Sequence, residues 1–254
     1  MSLFNKATAS LSLGTTQVDA TIEQSNIIPG SHVELKIHAQ AGSEEQEVSH
    51  LVVSLCCQYI EQQEIEERVK KSYALTQWQL PYAFRLNENE QRTFDAILSL
   101  PPNTPITIGD AQVWLEISSK IEDNFDPKEK DQLTIRPDLL QDAIFDALES
   151  EGLRIRNVEC EAVSGFALPF VQEFEFVPVA GPFHGLWREI EVVSYHDDQQ
   201  LHFWFEVDRQ LKGMRGMLSS LVDRNEAHYH LSISTKSSPQ DAALQVVNFL
   251  HHEL

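Results

Sequence analysis

Two histidines, His228 and His230, stand two residues apart in "HYHLSIS", a run that alternates polar and apolar side chains. Alternation of period two is the mark of a half-buried strand, and it sends both imidazoles to one face, away from Tyr229, Leu231 and Ile233. A second run, "LHFWFEVDR", puts Leu201, Phe203, Phe205 and Val207 on one face and His202, Trp204, Glu206 and Asp208 on the other. If the two strands are neighbours, a His/carboxylate site for a transition metal is geometrically possible. The competing reading is solvated histidines on an outer sheet. Glu206, Asp208 and Arg209 could form an ion pair that locks a sheet edge or docks a partner, although surface pairs contribute little. Trp204 on the same outward face is an interface type of residue, unless a connecting or terminal helix covers it.

The remaining reactive residue types lack the company that chemistry needs. Cys160 lies between Glu159 and Glu161, which raise a thiol pKa rather than lower it. Ser164, in "VSGF", has no nucleophile elbow around it. Gly213 and Gly216, in "KGMRGM", lack the Lys-Ser/Thr of a phosphate loop and read as a turn. No regular acidic loop suited to calcium occurs. Accordingly no catalytic, cofactor-binding or metal-ligating residue is assigned, no cofactor is expected, and the chain is not expected to be an enzyme.

Charge narrows the partners. The 254 residues carry 19 Lys and Arg against 39 Asp and Glu, a formal net charge of −20. Nucleic-acid binding needs clustered cations, and none are present, so no nucleic acid is expected. Anionic membrane surfaces are disfavoured for the same reason, and no apolar run is long enough for membrane insertion. Acidic runs such as "EEQE", "EIEE" and "EDNFD" read as solvated loops that could speed encounter with a basic protein. Cys56, Cys57 and Cys160 are an odd number with an adjacent pair, which is not a disulfide framework and fits a reducing cytoplasm. The N-terminus lacks the apolar core of a secretory signal.

The elements that must position these residues are mostly strands. "QVDATIEQ" and "HVELKIHA" alternate, with Pro29-Gly30 as a turn between them. "LVVSLCCQYI" is almost continuously apolar and reads as a central strand covered on both sides, with "EIEERVKKSYAL" as an exposed or edge strand pairing back on it. "RTFDAILSL" and "AQVWLEISSKI" add further strands. Leu3, Phe4, Ala7 and Leu11 recur at helical spacing and predict a short N-terminal amphipathic helix. A second helix is predicted from Arg136-Pro137 to Gly152 on Leu140, Ala143, Ile144, Ala147 and Leu148. Strands resume, with Phe174 and Phe176 on one face and with Leu186, Ile190 and Val192 opposing Trp187, Val193 and Tyr195. A last helix starts at Ser238-Pro239, with Asp241 in its first turn and Ala243, Val246, Val247 and Leu250 as its packing stripe. The predicted fold is all-β: two tandem antiparallel β-sandwiches, residues 1–135 and 136–254, with a few short helices.

Several stretches carry a family resemblance: "MSLFNKATASL", "VDATIEQSNIIPGSHVELKIHAQAG", "EQEVSHLVVSL", "LPPNTPITIGDAQVWLEI", "DPKEKDQLTIRP" and "LHFWFEVDR". In their order and number the chain resembles the sporulation-control protein family (sporulation stage zero protein M), whose members are arrestin-like. The resemblance spans essentially the whole chain and implies two arrestin-type sandwiches in a cytoplasmic regulatory protein. It brings no enzymatic activity and no catalytic residues. The expected function is that of a non-enzymatic regulatory or scaffold protein acting through protein-protein interactions, by sandwich faces and exposed edges, with partner and oligomeric state left open. The alternative is a ligand- or metal-binding module that uses the cleft between the domains or the His228/His230 face.

Overall fold

The computed structural model describes residues 5–24, 26–62, 68–119, 132–209 and 226–253. The acidic segments around residues 64–67 and 122–131 and the Gly213/Gly216 segment lie outside the described residues. The fold is all-β in class and divides into two compact units, one of residues 1–59, 70–107 and 111–136, the other of 60–69, 108–110 and 137–254.

The first unit opens with a strand where a helix was predicted. Residues Asn5–Leu13 form β1, which pairs antiparallel with β2 (Thr16–Gln24) along its whole length. The apolar positions of this segment satisfy two periods at once. Ala7 and Ala9 are the buried pair, and they fit only the alternation of period two. The ladder to β2 decides between them by satisfying backbone groups that a short isolated helix would leave marginal. Strand β3 (His32–Gln40) follows a tight turn in which the amide of Ser31 donates to the carbonyl of Ile28 at 3.2 Å. Pro29 presets the turn, and Gly30 supplies its positive φ of 74°.

Two short strands, β4 (Gln46–Val48) and β7 (Phe84–Leu86), pair with each other. Strand β8 (Gln91–Ser99) closes a sheet of order β1-β2-β3-β8. Its inner face is apolar, with Val18, Ala20, Ile22, Val33, Leu35, Ile37 and Leu98 buried. The other layer centres on β5 (Leu51–Gln62), which lies between β6 (Arg68–Gln79) and β9 (Val113–Ser119). Both Cys56 and Cys57 are buried, although neighbours in a strand point to opposite faces. The continuous apolar character of β5 therefore reports cover on both sides.

In the second unit, β10 (Leu153–Ala162), β11 (Phe170–Pro178), β12 (Trp187–His196), β13 (Gln200–Arg209) and β14 (Glu226–Ser234) form an antiparallel meander. Helices α1 (Leu139–Ser150) and α2 (Pro239–His252) cover one face. Phe145 of α1 packs on Phe174 at 4.9 Å between ring centroids, and Phe249 of α2 packs on Phe205 at 5.6 Å. Asp138 caps α1 by accepting from the amides of Leu140 and Gln141, and Ser238 caps α2 by accepting from Asp241. The buried stripe of α2 is Ala242, Val246 and Leu250, one residue off the predicted Ala243. At the end of α1, Gly152 takes φ +86° and Gly181 takes φ +75° in the loop after β11. A Cβ on Gly152 would collide with the carbonyl of Ala180, and one on Gly181 would collide with that of Glu151.

Two bulges set the parity of this sheet. The register shifts between Ile155 and Asn157 in β10 and between Trp187 and Glu189 in β12. An extra residue reverses which face the following side chains take. Trp187 was predicted to oppose Ile190 and Val192, but it is buried with them and stacks on Phe183 at 4.0 Å, while Leu186 is left exposed.

Candidate functional site

The helices cover the face of Phe174, Phe176, Phe203 and Phe205, so the alternate side chains of β10–β14 form the opposite face. Cross-strand register arranges them in rows. One row runs Glu159, Glu173, Val193, Trp204, His230, and the next brings Glu175, Glu191 and Glu206 to the register position of His228. Strands β13 and β14 are therefore neighbours, as the histidine reading required.

Trp204 is half-buried at the middle of an aromatic group. Its ring lies 4.9 Å from that of His230 and 5.6 Å from that of His202, both nearly parallel, and Phe166 meets it edge-on at 5.7 Å. Tyr195 in turn packs edge-on against Phe166. Neither helix covers Trp204. His202 is fixed by hydrogen bonds on both ring nitrogens. Its Nε2 lies 2.8 Å from Asp197, and its Nδ1 lies 2.9 Å from the Ser232 hydroxyl and 3.2 Å from His230 Nε2. The His202 bond, with amide bonds from Gln199 and Gln200, holds the Asp197 carboxyl down at about 2. This polar turn is also what ends the β12–β13 hairpin.

Beside the aromatic group the face is lined by carboxylates. Arg68 pairs with Glu159 and Glu161, Arg156 with Glu175 and Glu189, and Arg188 with Asp208 at 3.1 Å. Glu173 sits inside this frame, and among the described residues no cation pairs with it. Burial, reinforced by Glu191, Glu161, Glu206 and Glu159, pushes its carboxyl up to about 7. A carboxyl that is half protonated near neutrality is the most perturbed acid on this face.

The predicted site residues are thus partly assembled. His202, Trp204 and His230 come together. Asp208 pairs with Arg188, and Arg209 instead reaches the Tyr229 hydroxyl at 3.5 Å. Only the backbone position of His228 is described. No group of three or more His, Cys, Asp or Glu among the described residues is placed to hold a metal ion. Cys160 is buried, and burial ahead of its neighbour Glu159 pushes its thiol up to about 12, which removes it as a nucleophile. The Glu173 cluster was missed, although Glu159/Glu161 around Cys160 and Glu173/Glu175 around Phe174 carry the same alternation as the aromatic strand. A second missed pair lies at the head of α1. His196 is 3.0 Å from Asp138, and Gln141 donates to Ser194 at 3.1 Å. Burial there opposes ionisation of Asp138, but the bonds from His196 and from the amides of Gln141 and Leu140 outweigh it and lower its pKa.

Comparison with known proteins places this architecture. Residues 4–211 match the family model described as SpoOM protein. The chain belongs to this family. It is 30% identical over 228 residues to the sporulation-control protein spo0M of Bacillus subtilis (strain 168), covering 89% of this chain and 88% of that one. The crystal structure of Spo0M from Bacillus subtilis superposes with a TM-score of 0.78 at 23% identity, covering 95% of this chain and 100% of the other. That likeness establishes the shared SpoOM fold. Among the described residues no helix is long and apolar enough to cross a membrane.

Proposed function

We propose that this chain is a non-enzymatic, cytoplasmic regulatory or scaffold protein that docks other proteins, in a role akin to the sporulation control for which its Bacillus subtilis relative is named. The observation that carries this reading is the outward face of the second sheet, where Trp204 lies among imidazole and phenyl rings at the margin of a carboxylate field. Aromatic anchors of this kind dominate docking energy, and surrounding charge steers encounter. With a net charge of −20, a partner of basic surface is favoured and nucleic acid is opposed.

The test compares immobilised wild type with Trp204→Ala and with Glu191→Lys/Glu206→Lys in lysate of the native cell. Proteins retained by wild type and lost from both variants support the reading. Retention no better than on a charge-matched control, with small molecules instead raising the melting temperature, refutes it. One observation favours metal binding as a second reading: His202 Nδ1 and His230 Nε2 converge to 3.2 Å. Zinc titration of wild type and of His202→Ala/His230→Ala separates the two, since equal weak binding by both removes the metal.

A further inference from the structure

Strand β8 ends its sheet, and among the described residues nothing pairs with its outer side. The flanking hydrogen bonds fix which of its residues face that side. The Leu100 amide donates to Ser31 at 2.8 Å, and Ala41 donates to the Glu90 carbonyl at 2.9 Å, so the even-numbered residues bond β3. In an antiparallel ladder the intervening residues then turn N–H and C=O outward. Those residues are Gln91, Thr93, Asp95, Ile97 and Ser99, and all are exposed. The register with β3 is unbroken from Ser99 to Gln91. Natural edges are usually blunted by proline, lysine or a bulge, and β8 has none of these.

We infer that this edge accepts an extended segment of a partner protein as an added strand, with a basic residue of that segment opposite Asp95 and an apolar one opposite Ile97. The inference rests on the docking reading above but places a second surface, in the first unit. Side chains select the occupant. Ile97 is 65% exposed, which is unusual for an isoleucine, and it borders a pocket of about 410 Å³ lined by Glu34, Lys36, Asp95 and Ile97 on the outer sheet face. Opposite charges and apolar pairs across strands are favourable, and like charges directly opposite are not. A second copy of this chain is disfavoured on that ground. Full antiparallel overlap of β8 with itself places Asp95 opposite Asp95, between two molecules each of net charge −20.

The probe is a fluorescein-labelled peptide, Thr-Val-Leu-Val-Lys-Val-Thr, titrated into the full chain and read by anisotropy. Antiparallel addition sets its Leu opposite Ile97 and its Lys opposite Asp95. Saturable binding is expected. Methylating the amide nitrogens of Leu and Lys should weaken it at least about tenfold, because both bond the edge. Changing its Lys to Glu should weaken it about fivefold, and Asp95→Lys should restore that peptide. Ile97→Pro, whose lost N–H faces solvent, should weaken binding at least about tenfold while leaving the melting temperature nearly unchanged. If that variant unfolds, the methylated peptide decides alone. Absence of saturation, or equal binding of the methylated peptide, overturns the inference, as does a dimer in sedimentation that Asp95→Asn strengthens and Ile97→Pro abolishes. Failure here with capture through the Trp204 face intact would leave the docking reading standing, whereas loss of Trp204-dependent capture with peptide binding intact would strike only that reading.

Discussion

Replacing Glu173 by Gln should stabilise the protein, and more at high pH than at low. In the folded chain the carboxyl is pushed from an ordinary 4.5 to about 7, first by burial and then by Glu191, Glu161, Glu206 and Glu159. Below the unfolded value the group is protonated in both states and costs nothing. Between the two values the folded state holds a proton that the unfolded chain has released, so stability falls as pH rises. Above about 7 the full penalty is present. At about 1.4 kcal/mol per tenfold change the ceiling is about 3 kcal/mol. Glu173 borders solvent, and screening reduces this to about 1–2 kcal/mol. Urea unfolding followed by circular dichroism at pH 8 and pH 5.5 (both above the pI of about 4.8) measures it. At pH 8, Glu173→Gln should exceed wild type by about 1–2 kcal/mol, and at pH 5.5 by less than half of that. A variant that is destabilised at pH 8, or whose advantage does not change with pH, would refute the assignment of a raised pKa to this carboxyl.

The other expectations concern scaffold and thiols. Asp138→Ala removes the cap of α1 and the partner of His196, and should lower stability by about 1–2 kcal/mol in the same unfolding assay, with Asp138→Asn losing less because it still caps. Because the Asp138 pKa is lowered, its charge contributes above the ordinary carboxyl pKa and is lost as pH falls through the lowered value. Phe174→Ala empties a fully buried position under Phe145 and should cost about 3–5 kcal/mol, against less than about 0.5 for the exposed Leu244→Ala. Ellman's reagent should label none of Cys56, Cys57 and Cys160 in the folded chain and all of them in urea, since each is buried.

The alternating runs make much of this fold legible in the sequence. They placed His202, Trp204, Glu206 and Asp208 on one face, and the core phenylalanines on the other, because period two is a local property of a strand. Adjacency is not local. Whether β13 lay beside β14, and therefore whether His202 could meet His230, was settled by the ladder. The bulges in β10 and β12 were also invisible, since an inserted Arg156 or Arg188 looks like any other residue until its partner strand is known. That is why Trp187 was set on the wrong side. The N-terminal segment failed differently. Its leucines and alanines suit a helix and a strand alike, and β2 supplied the hydrogen bonds that chose. The open side of β8 escaped notice because an edge is defined by a strand that is missing.

The glycines at 152 and 181 have a consequence for how the second unit holds its shape. Greasy contact between α1 and the sheet is non-directional and would let the helix slip along its own axis at little cost. Interlocked backbones, each filling the space where the other's side chain would stand, leave one axial setting only. They act as a key in a slot: the phenylalanines supply the grip, and two absent methyl groups supply the alignment.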